Sequence, residues 1–109
     1  MIDYEVNLQI DAAIYDEFKV WLASHIEEVL SINGFKKAHL YEENSIPADK
    51  KNDKDRCKIT IRYELDTLAN LQEYFKNHAS LMRQKTEEKY GGKFEASRRV
   101  LTLEKVFSI

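Results

Sequence analysis

The side chains able to do acid–base or nucleophilic work near neutral pH are few: His25, His39, His78 and the single cysteine, Cys57. An imidazole changes charge close to pH 7, so each histidine is a candidate base, ligand or switch. His25 and His78 each fall within the apolar stripe of a helical pattern. They could face each other as a working pair. The preferred reading makes each a half-buried ring bonded to a backbone carbonyl or a nearby carboxylate. A nucleophilic thiol needs a depressed pKa and a neighbouring histidine. Cys57 sits on the inward phase of an alternating run and reads as a small core residue. Three histidines and one cysteine with no short ligand spacing meet no zinc template, so neither a metal nor a cofactor is expected. Arg98-Arg99 could grip a carboxylate or phosphate with paired hydrogen bonds, but a salt bridge with Glu5, Glu64 or Glu95 is preferred. Gly91-Gly92 lacks the spacing and the strand-to-helix setting of a phosphate loop and reads as a turn. No catalytic constellation emerges.

These residues belong to a chain of 109 residues and 12.8 kDa, a length that suits one domain over 1–109. With 17 Lys+Arg against 19 Asp+Glu, the net charge is −2. That balance argues against nucleic acid as a partner, since backbone binders are strongly basic. One cysteine allows no intrachain disulfide and fits a reducing, cytoplasmic setting. The first residues carry no basic start and no apolar core of a signal peptide, and no run reaches the 18 or so apolar residues of a membrane span.

The positioning elements follow from periodicity. Tyr4, Val6, Leu8 and Ile10 alternate with Asp3, Glu5, Asn7 and Gln9, which predicts a strand covered on one face. Asp11 is the expected cap of a helix running to about Leu30, with Ile14, Phe18, Leu22, His25 and Val29 on one stripe. Gly34 should stop it. Residues 35–43 read as a second strand, with Ala38 and Leu40 inward and His39 and Tyr41 outward. Residues 44–56 form a charged loop holding the single proline, Pro47. Residues 57–65 alternate again. Asp66 should cap a second helix bearing Leu68, Leu71, Phe75, His78 and Met82. A last strand spans about 94–103, muddled at Arg98-Arg99 in a way that suggests a bulge or a change of exposure. Residues 104–109 extend it or cross to a partner. The order β-α-β-β-α-β is the ferredoxin-like α+β arrangement: a four-stranded antiparallel sheet with both helices on one face.

The uncovered sheet face should then carry Asn7, His39, Tyr41, Arg62 and Arg99. It is either solvated or a homodimer interface in which two sheets enclose a polar pocket, and those five residues are the candidates to line it. The homodimer is favoured, because Val106, Phe107 and Ile109 would otherwise sit in water. The open phase of the two central strands has no aromatic residue, which counts against single-stranded RNA binding by this fold.

Tyr4-Glu5-Val6-Asn7-Leu8, Trp21-Leu22 with His25-Ile26 and Leu30, Gly34-Phe35, Ile61-Arg62-Tyr63, Tyr74 with His78-Ala79, Leu81 with Arg83, and Ala96-Ser97-Arg98-Arg99-Val100-Leu101 occur in this order. Together they resemble a bacterial family, domain-of-unknown-function family 4286. The resemblance implies a ferredoxin-like subunit that pairs as a dimeric α+β barrel, and implies no activity. More distantly, the Trp-Leu-x-x-His helix looks like that of dimeric α+β barrel enzymes, among them cofactor-free monooxygenases. Three readings stand: an uncharacterised homodimer with a small-ligand pocket between its sheets, a small monooxygenase-like enzyme acting on a polar or aromatic metabolite, and a regulatory or protein-interaction module using the 44–56 loop.

Overall fold

The computed structural model describes residues 1–44 and 56–109. Residues 45–55, which make up most of the charged loop, lie outside the described residues. Four strands form one antiparallel sheet: β1 (Ile2–Asp11), β2 (Phe35–Glu42), β3 (Arg56–Leu65) and β4 (Phe94–Thr102), in the order β2-β3-β1-β4. Between them run α1 (Tyr15–Leu30), α2 (Leu68–Asn77) and α3 (Ala79–Tyr90). This is the ferredoxin-like α+β fold. No helix among the described residues is long and apolar enough to cross a membrane.

The alternation in β1 decides which side of the sheet is covered. Ile2, Tyr4, Leu8 and Ile10 are buried and pack with Ile59, Ile61, Tyr63 and Leu65 of β3. From the helices come Phe18, Leu22 and Val29 of α1, Leu71 and Tyr74 of α2, and Ala79, Met82 and Tyr90 of α3. Full burial of such side chains stabilises by about 1.5–3 kcal/mol each, and this layer dominates the favourable side of folding.

Both capping expectations are corrected. Asp11 does not cap a helix. It still pairs with Arg56 in the β1–β3 ladder, and its side chain makes no capping hydrogen bond. A single 3-10 turn, Ala12–Ile14, leads instead into α1, whose first turn carries Asp16 and Glu17 at the positive end of the helix dipole. The second helix is capped by Thr67, not Asp66: the Thr67 hydroxyl accepts the Asn70 N–H at 3.1 Å.

The second helix is also two helices. His78 stands at φ −131°, outside the helical region, and separates α2 from α3. One unbroken helix would turn Phe75 and His78 inward. In α2 the buried positions are Leu71 and Tyr74, and Phe75 is 39% exposed; past the break Ala79 joins Met82 in the core. Leu68, expected on the inward stripe, is likewise exposed.

Gly34 has φ +95°, as a residue that ends a helical region should. It lies four residues past Leu30, however, after a turn in which the Ile32 N–H bonds the Val29 carbonyl. Strand β4 has no bulge. It pairs with β1 residue for residue from Phe94 to Thr102, Arg98 opposite Val6 and Arg99 opposite Glu5. The muddle at Arg98-Arg99 is therefore a change of exposure.

Candidate functional site

The helix layer does not fill the space above the sheet. A cavity of about 360 Å³ lies between α1, α3 and the sheet. Its floor is Tyr4, Val6 and Leu8 of β1, Ile61 and Tyr63 of β3, and Phe94 and Ala96 of β4. Leu22, His25 and Val29 of α1 form one wall, and Met82 of α3 with Tyr74 of α2 the other. It is a cleft and not a sealed void, open to solvent past the exposed Arg83, Glu87 and Arg98.

Aromatic and charged contacts hold the two walls. The Tyr90 ring of α3 meets Phe18 at 4.9 Å and Trp21 at 5.5 Å, joining α3 to α1. Across the outside, Lys85 of α3 reaches Glu28 of α1 at 2.6 Å. This ion pair is exposed and contributes well under about 1 kcal/mol, so the walls are tied loosely.

The polar groups of the cavity are few. His25 stacks on Trp21, ring centroids 4.8 Å apart, and burial lowers its pKa, with Glu28 and Lys85 acting in opposite directions. At neutral pH the ring is therefore neutral and can accept a proton. Burial pushes the Tyr74 hydroxyl up to about 12, opposed by Arg83 and Arg98, and raises the Tyr63 hydroxyl as well. Both phenols stay protonated and can donate. Arg83, Thr86 and Glu87 of α3 and Arg98 of β4 complete the lining.

The uncovered face of the sheet is built differently. Glu5 points to it from β1 yet is only 4% exposed. Its carboxylate accepts hydrogen bonds from Arg62 at 2.9 Å, from Arg99, and from Asn7 at 3.2 Å. Arg99 and Arg62, in that order of effect, hold its pKa down at about 2 against the cost of burial. Thr60 donates to Asn7 at 2.7 Å. His39 lies 3.6 Å from Glu64 and stacks against Tyr41, centroids 6.2 Å apart.

The five residues expected on this face, Asn7, His39, Tyr41, Arg62 and Arg99, are thus on it, as the register requires. Three of them are engaged with Glu5. A second recess of about 350 Å³ on this side includes Asn7, Lys58, Thr60, Glu95 and Ser97 but none of the other four. The two helical histidines do not meet in one site. His25 lines the cavity, while His78, at the break between α2 and α3, stacks on Tyr74 at 6.4 Å outside the lining. Among the described residues no group of three or more His, Cys, Asp or Glu is placed to hold a metal.

Residues 1–104 match the model of a domain of unknown function, DUF4286. The chain belongs to that family. No curated protein matches it in sequence. Among solved structures, the DUF4286 chain is similar to a protein from Arabidopsis thaliana, with a TM-score of 0.72 at 10% identity over 99% of this chain and 100% of that one. It is similar also to a variant of a cofactor-independent oxygenase from Streptomyces nogalater, with a TM-score of 0.66 at 14% identity, covering 96% and 95%. A dimeric ferredoxin-like protein from an uncultured marine organism matches with a TM-score of 0.61 at 13% identity over the whole of both chains. At such identities the likeness is one of fold, and a fold carries no function by itself.

Sequence reasoning considered a pocket only between sheets and did not foresee the cavity between helices and sheet in this DUF4286 chain. Arg83 entered the sequence reading only as part of the family resemblance, with Leu81, and nothing there marked Thr86 or Glu87 as lining a cavity. Arg98 could have been found: Phe94 and Ala96 fix the phase of β4, and that phase turns Arg98 toward the helices.

Proposed function

We propose that this DUF4286 protein is a small-molecule-binding homodimer whose ligand occupies the cavity between the helices and the sheet. The observation that carries this reading is the 360 Å³ space, lined mainly by apolar side chains, where a domain of this size normally has packed core. The uncovered sheet face is the dimer interface. Supporting it are the exposed Tyr41 and the tail that follows β4, where Val106 is 72% and Phe107 83% exposed. The dimeric state of a protein with the same fold is consistent with this arrangement. A reducing, cytoplasmic setting suits the free Cys57.

Titration with the neutral fluorophore N-phenyl-1-naphthylamine tests the site, with the single tryptophan, Trp21, as a second reporter beside the cavity. Saturable binding of one probe per chain, abolished by Ala96→Leu on the cavity floor, is expected. Unsaturable binding, or binding indifferent to Ala96→Leu, would overturn the reading.

A second reading rests on His25. A neutral imidazole at the edge of an apolar cavity can deprotonate a phenolic substrate, and the fold is shared with a cofactor-independent oxygenase. It predicts oxygen uptake with electron-rich polyphenols that His25→Gln abolishes. Uptake indifferent to that substitution, or none, removes it.

A further inference from the structure

The chain has five arginines. Arg56 pairs with Glu95 at 3.0 Å, and Arg62 and Arg99 both pair with Glu5. Among the described residues, Arg83 and Arg98 have no ion pair. An exposed arginine without a carboxylate is commonplace. Here, though, the two come from different elements, one on α3 and one on β4, and both line the same cavity. They also act on one buried group, since both draw down the pKa of the Tyr74 hydroxyl.

We propose that the cavity takes a small molecule with an apolar, ring-sized body and a single anionic group, the anion being held between Arg83 and Arg98. This deepens the reading of the cavity as a binding site and rests on it. The charge count favours a monoanion: Arg83 and Arg98 supply two positive charges, Glu87 in the same lining supplies one negative charge, and His25 is neutral at pH 7. Net charge at the site is then +1. A guanidinium presents a planar fork of donors that matches a carboxylate with two parallel hydrogen bonds. The protonated phenols of Tyr63 and Tyr74 can donate further. Leu22, Val29, Ile61 and Met82 take up the apolar body.

The test compares two probes of like shape. One is neutral N-phenyl-1-naphthylamine, and the other is 8-anilinonaphthalene-1-sulfonate, which adds one negative charge. The sulfonate is expected to bind the wild-type protein about tenfold or more tighter than the neutral probe, as a charge-assisted contact should allow. In Arg83→Gln/Arg98→Gln that difference falls to about twofold or less, while affinity for the neutral probe holds and so reports an intact cavity. Each single variant is read in the same way, with an intermediate loss expected, so the result does not hang on the double variant. Equal binding of the two probes by wild type would overturn the anion site. So would a preference for the sulfonate that survives both substitutions. Failure of both probes to bind would overturn the cavity reading itself, and the ligand class with it.

Discussion

Arg98 and Arg99 are neighbours in the chain and serve opposite faces of β4. Arg99 turns to the uncovered face and binds Glu5, its register partner on β1. Arg98, opposite Val6, turns to the helix side and lines the cavity. The period of two in a strand makes this division unavoidable once the pairing is regular. One dipeptide therefore contributes both to the Glu5 charge network on the uncovered face and to the lining of the cavity.

Glu5 is the centre of that network, and its low pKa makes the contribution depend on pH. The folded protein holds the carboxyl at about 2, against an ordinary 4.5. Its stabilisation is therefore complete above about pH 4.5 and is lost as pH falls toward 2. Glu5→Gln should cost about 2 kcal/mol at pH 7, allowing for solvent screening of the exposed Arg99. In urea titrations the gap between wild type and variant should narrow from pH 5 to pH 3. A gap that stays constant over that range would contradict the account.

Gly34 carries two constraints at once. Its φ is +95°, and an added Cβ would lie 2.5 Å from the Asn70 Cβ. Gly34→Ala should destabilise by about 1–3 kcal/mol. In an Asn70→Gly background the cost should fall without vanishing, because the backbone strain remains when the clash is gone. Thermal melts of the four proteins would read this directly, and an unchanged Tm in Gly34→Ala would refute it.

The tail beyond β4 should matter to assembly and not to the fold. Val106 and Phe107 touch none of the buried core. Val106→Asp/Phe107→Asp is expected to leave the circular dichroism spectrum unchanged. In sedimentation the mass should move from about twice 12.8 kDa toward 12.8 kDa. A monomeric wild type, or a variant that stays dimeric, would rule out this role for the tail.

His25 should titrate below the ordinary histidine value of 6.5, because burial disfavours the imidazolium. Since the folded state resists protonation that the unfolded state accepts, this residue makes stability decline as pH drops below about 6.5. His25→Gln should flatten that slope, and Lys85→Gln should raise the His25 midpoint by removing a nearby positive charge. Carbon-bound proton shifts of the ring in an NMR titration give the midpoint. A value at or above 6.5 in wild type would be inconsistent with the buried, neutral ring.

What could be read from residues alone was what repeats with a short period. The alternation of Tyr4, Val6, Leu8 and Ile10 against Glu5 and Asn7 located the covered face, and with it the positions of Arg62 and Arg99. The stripe of Phe18, Leu22 and Val29 located the buried side of α1. The cavity was not legible, because it depends on how far apart α1 and α3 sit above the sheet, and no periodicity encodes that distance. The break at His78 was hidden for a related reason: Tyr74, Phe75, His78, Ala79 and Met82 can be threaded on either of two helical stripes, and packing against the sheet selects between them. Capping misled twice: Asp66 left the cap to Thr67, and Asp11, still paired in the β1–β3 ladder, was followed by a 3-10 turn with no side-chain cap.

The most direct test of the ligand site is a set of intermolecular NOEs between bound N-phenyl-1-naphthylamine and methyl groups of the protein. The account predicts contacts from the probe to the methyls of Leu22, Val29, Ile61 and Met82, inside the cavity. Contacts confined to Leu101, Thr60 or Val106, on the uncovered face and tail, would contradict it and return the site to the space between two sheets.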